Sequence, residues 1–489
     1  MVKVLFVYHN ELEEAFMPAS LSVLGGVLRD YGAEIKLFDT SFWRDINSDI
    51  IENDREVRER TGEFKKAPKG YDTEREVVDI KKKFMEAVEE FKPDLIAATS
   101  TSYEFNSLVN FILPAKLKHN IPLIVGGSHP TVYSESAIKK QGVDIICVGE
   151  GEKAILELVK KIEKKENYEN IPSLWIKKPN GEIIKNKIGN LMEMDDLPEP
   201  NWEIFDKRHR VRPFEGELKS YGFFEISRGC PHNCSYCINA KLHQIYKNSN
   251  INCKLYRFYS PEKIVKIMKK FKDQYYFNHI QLVDENIAIM PIDDLRKLAE
   301  LYKKEVGVGF FTMARPECFI AEPEKAKLLA DMGCKMIALG AESGNEELKK
   351  TVLNRPMKNE TLIKGTKILK EAGILVSLYN IIGFPHETKE MIFDTIELNR
   401  IIQPDRFSVR FLVPYPGTAI RDLCVKEGYI EEDYENKRKN VSFLIEPILN
   451  LPSPPHATKE ELMKIKENFG RYLKMSEEEY NFAKSEFLS

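Results

Sequence analysis

The sequence predicts an α/β protein of two domains in tandem: an N-terminal doubly wound, Rossmann-like sheet, then a (β/α)6 partial TIM barrel, followed by a helical C-terminal region. Three observations carry this. Apolar runs of strand length alternate with amphipathic stretches in two separate series, the pattern of parallel sheets covered by helices. Between the series, residues 167–220 change character, with K-K-P-N-G-E (177–182) as a hairpin signal and D-L-P-E-P-N-W (196–202) as a proline-bearing linker. The second series runs through six strand–helix repeats, the content of a partial barrel whose site lies at the C-terminal strand ends.

In the first domain (1–166), strands are predicted at 2–8, 34–39, 94–100, 122–128 and 144–150, where unbroken apolar runs imply burial on both faces. Amphipathic helices lie between them, among them 20–31, 76–91 and 104–119. The highly charged stretch 52–90 reads as a solvated helical insertion, with a charged docking site as the alternative. The second domain (221–418) has strands at 223–228, 279–284, 308–315, 335–341, 374–383 and 406–413, separated by helices at 261–271, 293–304, 323–332, 358–371 and 388–402. Residues 419–489 are charged and mostly helical.

The chain has 489 residues, 43% hydrophobic and 30% charged, as in a soluble globular protein of two or three domains. A net charge of −3 gives no global case for nucleic acid or an anionic membrane. The opening M-V-K-V-L-F-V-Y alternates as a strand and lacks the features of a signal peptide. No stretch approaches the roughly 20 apolar residues of a membrane span. Eight cysteines without a framework pattern point to a reducing, cytoplasmic setting.

Three of those cysteines lie in S-R-G-C-P-H-N-C-S-Y-C (227–237), spaced Cys230-x₃-Cys234-x₂-Cys237 directly after a predicted strand. A structural zinc site closes with four ligands; His232 or the distant Cys253 would have to complete one here. A cubane iron–sulfur cluster on three thiolates keeps one iron open for another ligand, which gives the missing cysteine a purpose. The stretch resembles the radical S-adenosylmethionine superfamily. The resemblance implies a [4Fe–4S] cluster on Cys230, Cys234 and Cys237 whose open iron chelates S-adenosylmethionine, and one-electron cleavage of that cofactor to a 5′-deoxyadenosyl radical. Tyr236 matches the family's aromatic position beside the adenine.

Later strand ends resemble the same family in order. Asp284 and Glu285 end the second barrel strand where the methionine amino group is met, and Arg315 ends the third, where it pairs with the methionine carboxylate or, on the alternative reading, forms a surface ion pair. Glu342 and Ser343 of A-E-S-G (341–344) resemble the polar residues that hold the ribose, with capping of the next helix as the alternative for Glu342. Ile382 and Gly383 of N-I-I-G-F-P-H-E-T (380–388) match the adenine segment, although Asn380 and His386 stand where relatives carry glycine. P-Y-P-G-T (414–418) closes the sixth strand in the same manner.

The first domain has no G-x-G-x-x-G after its first strand, which disfavours a dinucleotide. Its strand ends, N-E-L-E-E-A-F-M-P (10–18), Ser100-Thr101-Ser102, Gly126-Gly127 and the G-E-G-E that includes Gly149 and Glu150, resemble the cobalamin-binding domain that precedes some radical S-adenosylmethionine domains. The resemblance implies a corrin close to Gly126-Gly127 and His129 beside the nucleotide tail. D-x-H-x-x-G is absent, since the loop reads Tyr8-His9-Asn10; base-off cobalamin with no protein histidine on cobalt is therefore expected, His9 being a polar loop residue.

Together these imply a cobalamin-dependent radical S-adenosylmethionine enzyme, a C-methyltransferase acting on an unactivated carbon by way of methylcobalamin. A cyclase or rearrangement enzyme using the same cofactors is the alternative, and a non-catalytic cobalamin or cluster carrier a third reading. The implied partners are a small-molecule or peptide substrate and an external one-electron reductant such as flavodoxin or ferredoxin. The aromatic stretches 242–246 and 256–259 read as packing under a loop or as pocket walls, and substrate determinants are expected in 419–489 and the strand-end loops.

Overall fold

The computed structural model describes residues 1–10, 16–48, 54–71, 75–251, 254, 256–437 and 446–488. Most of the 10–18 loop, Cys253 and residues 52–53 and 72–74 of the charged stretch lie outside the described residues.

Lys3–Tyr8 (β1), Glu34–Asp39 (β2), Leu95–Thr99 (β3), Leu123–Gly126 (β4) and Ile145–Cys147 (β5) form a parallel sheet in the order β2-β1-β3-β4-β5. Helices cover both faces, Ala19–Tyr31 and Glu152–Lys164 on one, Ile80–Phe91 and Phe105–His119 on the other. Residues of alternating direction are therefore all buried, Val4, Phe6 and Leu95 in one core and Leu5, Val7 and Ile96 in the other. The order reverses between β1 and β3, the switch point at which such sheets bind ligands. The hairpin, Leu174–Lys177 (β6) and Ile183–Lys185 (β7), pairs antiparallel beyond β5. It belongs to the first sheet and satisfies the backbone groups on the outer edge of β5.

The second sheet comprises Val211–Phe214 (β8), Glu217–Phe224 (β9), His279–Leu282 (β10), Gly309–Ala314 (β11), Cys334–Glu342 (β12), Leu375–Ile382 (β13) and Arg406–Phe411 (β14), neighbours in chain order. β8 pairs antiparallel with β9, and β9 to β14 are the six parallel strands of the partial barrel. The C-terminal helices Lys459–Tyr472 and Glu477–Leu488 pack their apolar faces, through Ile465, Phe469 and Tyr480, onto the layer around Phe393 and Val409.

Two expectations need correction. The segment 196–202 is no loose linker: Leu197 and Trp202 are buried, and the Trp202 ring lies 4.6 Å from Phe271 and 5.0 Å from Phe224. One apolar core thus runs from the first sheet into the barrel. The charged insertion is not solvated over 54–63 either. Its helix Asp54–Arg60 buries Asp54, Arg55 and Val57, and Glu63 follows at 2% exposure. These charges are matched from the other domain: Arg410 meets Asp54 at 2.9 Å and Glu63 at 3.6 Å. Helical charge patterning registers that a face is polar and is blind to a polar partner elsewhere in the chain.

Breaking a buried pair leaves an uncompensated charge, whereas an exposed pair is nearly neutral. Arg410→Ala should therefore cost about 2–3 kcal/mol in urea unfolding of the apoprotein, with Lys83→Ala, which breaks the exposed pair to Glu76, changing it by less than about 1 kcal/mol.

Candidate functional site

The cysteine loop is held at its root from several sides. Asp284, fully buried after β10, accepts hydrogen bonds from the Ile226 amide (3.0 Å) and the Ser227 hydroxyl (2.5 Å). Ser227–Arg228 also pairs antiparallel with Arg257–Phe258. Further along, the Ser235 hydroxyl donates to the Val352 carbonyl (2.6 Å), and Cys237 opens the helix Ile238–Asn248. Cys234 is buried and the other two cysteines are partly exposed.

Among the described residues no group of three or more His, Cys, Asp or Glu side chains is gathered to hold a metal ion by itself. The donor chemistry around the loop nevertheless suits thiolates. The Arg315 guanidinium lies 3.7 Å from Cys234 Sγ and the Asn239 amide 3.7 Å from Cys237 Sγ. Burial raises the Cys230 thiol and pushes Cys237 up to about 11, with the neighbouring sulfurs adding to it. Three thiols on one short loop, with Cys230 and Cys237 raised and a cation and an amide donor facing Cys234 and Cys237, fit a cationic cluster that would replace their protons.

The other predicted strand ends gather around this loop. Arg315 is 11% exposed and pairs at 2.5 Å with Glu317, whose side chain is 37% exposed, so it forms an ion pair while facing the cysteine loop. Glu342 follows a bulge in β12 and takes a left-handed φ of +61°, a conformation that costs a non-glycine residue of order 1–3 kcal/mol. Its carboxylate folds back over Gly340, where any Cβ would overlap it, and accepts from the Tyr236 hydroxyl. Burial raises Glu342, opposed by the Arg355 guanidinium, which itself donates to the Gly340 carbonyl at 2.7 Å. Asn345, not Glu342, caps the next helix, through the Leu348 amide. Ser343 is fully buried, 3.5 Å from the Thr395 hydroxyl and accepting from the Asn345 amide at 3.1 Å. The structure thus gives its hydroxyl a turn-forming task.

Ile382 and Gly383 border a cavity of about 240 Å³ whose far wall is the C-terminal segment Ile448–Leu451 with Leu462. Glu387 fixes this turn by accepting the Gly383 and Phe384 amides on one oxygen (2.6 and 3.1 Å). His386 adopts φ +62°, a left-handed conformation that favours glycine. Asn380, in place of glycine, exchanges amide bonds with Asn399 at 2.7 and 3.2 Å.

In the first domain two cavities meet at the strand ends. One, about 210 Å³, runs inward beside Phe6, Leu21, Leu24, Ala97 and Ile124. The other, about 330 Å³, opens between the domains and touches Gly127, Ser128 and Gly149 on one side and Gly229, Asn239 and Glu285 on the other. Gly127 (φ +101°) is a cradle: a Cβ would sit 2.6 Å from the Ser100 carbonyl. An apolar slot that shares Gly127, Gly149 and Glu150 with the interdomain space, with Gly127 packed against the Ser100 backbone, would hold a corrin and its nucleotide tail. Gly126 and Thr99 line the inner cavity, but Ser100, Thr101 and Ser102 line neither. Their hydroxyls go to the Thr101 carbonyl, Glu104 and His129. The His129 ring lies 4.2 Å from Phe105 at a tilt of 31°, and burial lowers it to about 4. His9 lies in the core with Thr40 and Ser107 on its two nitrogens (3.0 and 2.7 Å), lowered to about 3 chiefly by burial.

Sequence reasoning missed the group that joins the two halves. Arg228, inside the quoted cysteine stretch, reaches Glu150 (3.1 Å), Glu152 (2.8 Å) and Glu225 (2.9 Å). Arg257 adds a second bond to Glu150. Glu150 therefore serves as an interdomain tie as well as a wall of both cavities. Arg355 and Glu387 were missed too; the T of E-T was quoted with its glutamate, but nothing local tells which amides a buried acid accepts.

Arg228→Gln should lower stability by about 3 kcal/mol or more and speed amide exchange across 149–152 and 227–237. Arg228→Lys should recover only part of this, because an ammonium lacks the two arms that span Glu225 and the Glu150–Glu152 pair. Glu387 supplies a pH test. Burial raises its carboxyl to about 8, against the opposing pull of the two amides. The folded chain keeps this proton while the unfolded chain loses it, so its contribution to stability falls as pH rises from the ordinary carboxylate range to about 8. Glu387→Gln should flatten that fall, the slopes differing by up to about 1.4 kcal/mol per pH unit.

Comparison with known proteins bears on this arrangement. Residues 224–398 match the radical SAM superfamily and residues 68–159 the B12 binding domain. The chain is 23% identical over 382 residues to an uncharacterized methyltransferase of Pyrococcus horikoshii, covering 77% of this chain and 78% of that protein. It is 22% identical over 484 residues to the anaerobic magnesium-protoporphyrin IX monomethyl ester cyclase of Rubrivivax gelatinosus, covering 96% and 77%. Its fold matches the radical S-adenosylmethionine methyltransferase TsrM of Kitasatospora setae with a TM-score of 0.62 at 17% identity, over 87% of this chain and 77% of that one. No helix among the described residues is long and apolar enough to cross a membrane. With a B12-binding sheet facing a barrel that carries the three-cysteine loop, the chain is a radical S-adenosylmethionine enzyme with an N-terminal cobalamin-binding domain.

Proposed function

We propose that the protein is a C-methyltransferase that acts on an unactivated carbon, using a [4Fe–4S] cluster, S-adenosylmethionine and cobalamin. The observation that carries this reading is the shared cavity of about 330 Å³ on which the C-terminal strand ends of both domains converge. When bound, the cluster and S-adenosylmethionine supply a hydrogen-abstracting radical and cobalamin supplies the methyl group.

The chain's own part is positional. Cys230, Cys234 and Cys237 hold the cluster, and Arg315 offsets their charge and receives the methionine carboxylate. Asp284 fixes the root of the loop, which leaves Glu285, on the wall of the shared cavity, as the acid for the methionine amino group. Tyr236 and Glu342 take the adenosine side, with Ile382 and Gly383 at the adenine. Gly126 and Gly127 admit the corrin, and Gly149 and Glu150 close the slot. The thiols, carboxylates and cofactors meet where the two domains exclude water. The reductant is an external one-electron protein such as flavodoxin or ferredoxin, and the setting is cytoplasmic. Cyclisation is the second reading, favoured by the likeness to the magnesium-protoporphyrin ester cyclase along 96% of this chain; product mass, a methyl gained or none, separates the two.

Anaerobic reconstitution tests the assignment. About four irons per chain are expected, lost in Cys230→Ala and kept in Cys253→Ala; equal retention would overturn it. The Co(II) signal should lack nitrogen superhyperfine splitting. Glu342→Ala should weaken S-adenosylmethionine binding by about one to two decades with bound cobalamin unchanged, whereas Gly127→Val should shed cobalamin and keep its iron.

A further inference from the structure

A fourth cavity, about 140 Å³, lies between the barrel strands and the first domain's charged insertion. Tyr221, Gln281, Met313, Tyr379 and Arg406 line it from the barrel strands, and Arg55, Arg58, Phe64 and Lys65 from the first domain's charged insertion. Its volume is close to that of a cavity that holds one benzene-sized ring. Met313 in this wall lies two residues before Arg315, which follows the end of β11 and reaches Cys234.

Cations outnumber acids in the wall, and two of them carry acids of their own: Arg55 pairs with Glu59 at 3.4 Å, and Arg58 with Asp54 at 3.5 Å and Glu63 at 3.4 Å. Arg55, Arg58, Lys65, Arg212 and Arg406 line it, and Glu215 is the one carboxylate lining it among the described residues. Lys65 (2.8 Å) and Arg406 share that carboxylate, one on each oxygen. Burial works to raise Glu215, and Lys65 and Arg406 outweigh it, leaving the group below its ordinary value. Flat surfaces stand beside the charges: Arg212 lies 3.7 Å over the Phe16 ring and Arg58 3.6 Å over Phe64.

We propose that this cavity is the anion subsite of the substrate pocket, and that the substrate carries a carboxylate or phosphate on a planar or apolar body pointing toward the cysteine loop. The proposal rests on the radical-enzyme reading above. It transfers substrate selection to the first domain's insertion, residues 54–65, rather than to the C-terminal region.

The test measures equilibrium binding of benzoate, phenyl phosphate and neutral benzyl alcohol to the reconstituted enzyme, with iron and cobalamin content as the folding control. Either anion should bind at least tenfold tighter than the alcohol, and whichever binds tighter identifies carboxylate or phosphate. Lys65→Gln/Arg406→Gln should weaken anion binding tenfold or more. Glu215→Gln, which releases both cations from their shared partner, should tighten it several-fold, an effect that mere loss of packing would not produce. Equal binding of alcohol and anions, or anion binding insensitive to these variants, overturns the proposal. If the wild-type enzyme makes no 5′-deoxyadenosine under strong reductant, the radical reading fails while the binding result stands on its own.

Discussion

Arg228 leaves the barrel two residues before the first cysteine and meets three carboxylates, two of them from the other domain. A guanidinium that is 13% exposed cannot be left without such partners, because an unpaired charge removed from water costs several kcal/mol. The position of Glu150 and Glu152 at the end of β5 is thereby tied to the position of Cys230. The two strand-end faces are held at one separation, and the cavity between them is a consequence of that tie. Trp202 and the continuous apolar core give area and adhesion, but they are non-directional. The planar fork of the arginine sets the register.

A second theme is the use of buried acids as fixed hydrogen-bond acceptors. Asp284, pushed up to about 8 chiefly by burial, and Glu387, raised to the same level, each gather two donors from a loop that must hold its shape. Each leaves one oxygen without a hydrogen-bond partner, which suits a carboxyl that keeps its proton in a water-poor interior. One such acid fixes the root of the cysteine loop, the other the turn at the adenine segment. Both stand at the C-terminal ends of barrel strands, where backbone amides have no further sheet partner.

The charged insertion joins these two themes. Its arginines and acids would be ordinary on a solvated helix, yet Asp54, Arg55 and Glu63 are buried against the barrel. Arg410 from the second domain and Lys466 from the C-terminal helix Lys459–Tyr472 face them, and burial, aided by Arg410, lowers the Lys466 ammonium to about 8. The first domain thus supplies one wall of a cavity against the barrel strands in addition to its own ligand slot.

The sequence by itself determined the two parallel sheets, most helices to within a few residues and the three-cysteine loop. These are local properties: a strand buried on both faces must be apolar throughout, helices repeat at 3.6 residues, and Cys230, Cys234 and Cys237 are near one another because the chain between them is short. The start of the helix predicted at 76–91 was misplaced because Glu76–Val78 is taken by a short strand paired with Trp43–Asp45, a contact no window of sequence contains. Tertiary structure alone decided where polar side chains spend their hydrogen bonds. His129, Ser100 and Ser343 looked like ligand contacts and were turned inward, each to a partner within its own domain. Arg228 looked unremarkable and became a tie between the domains, as did the insertion, which read as a solvated charged stretch. A hydrophobic residue needs only to be out of water, so its pattern is written in its neighbours. A charge needs one particular partner, and that partner lies wherever the fold brings it.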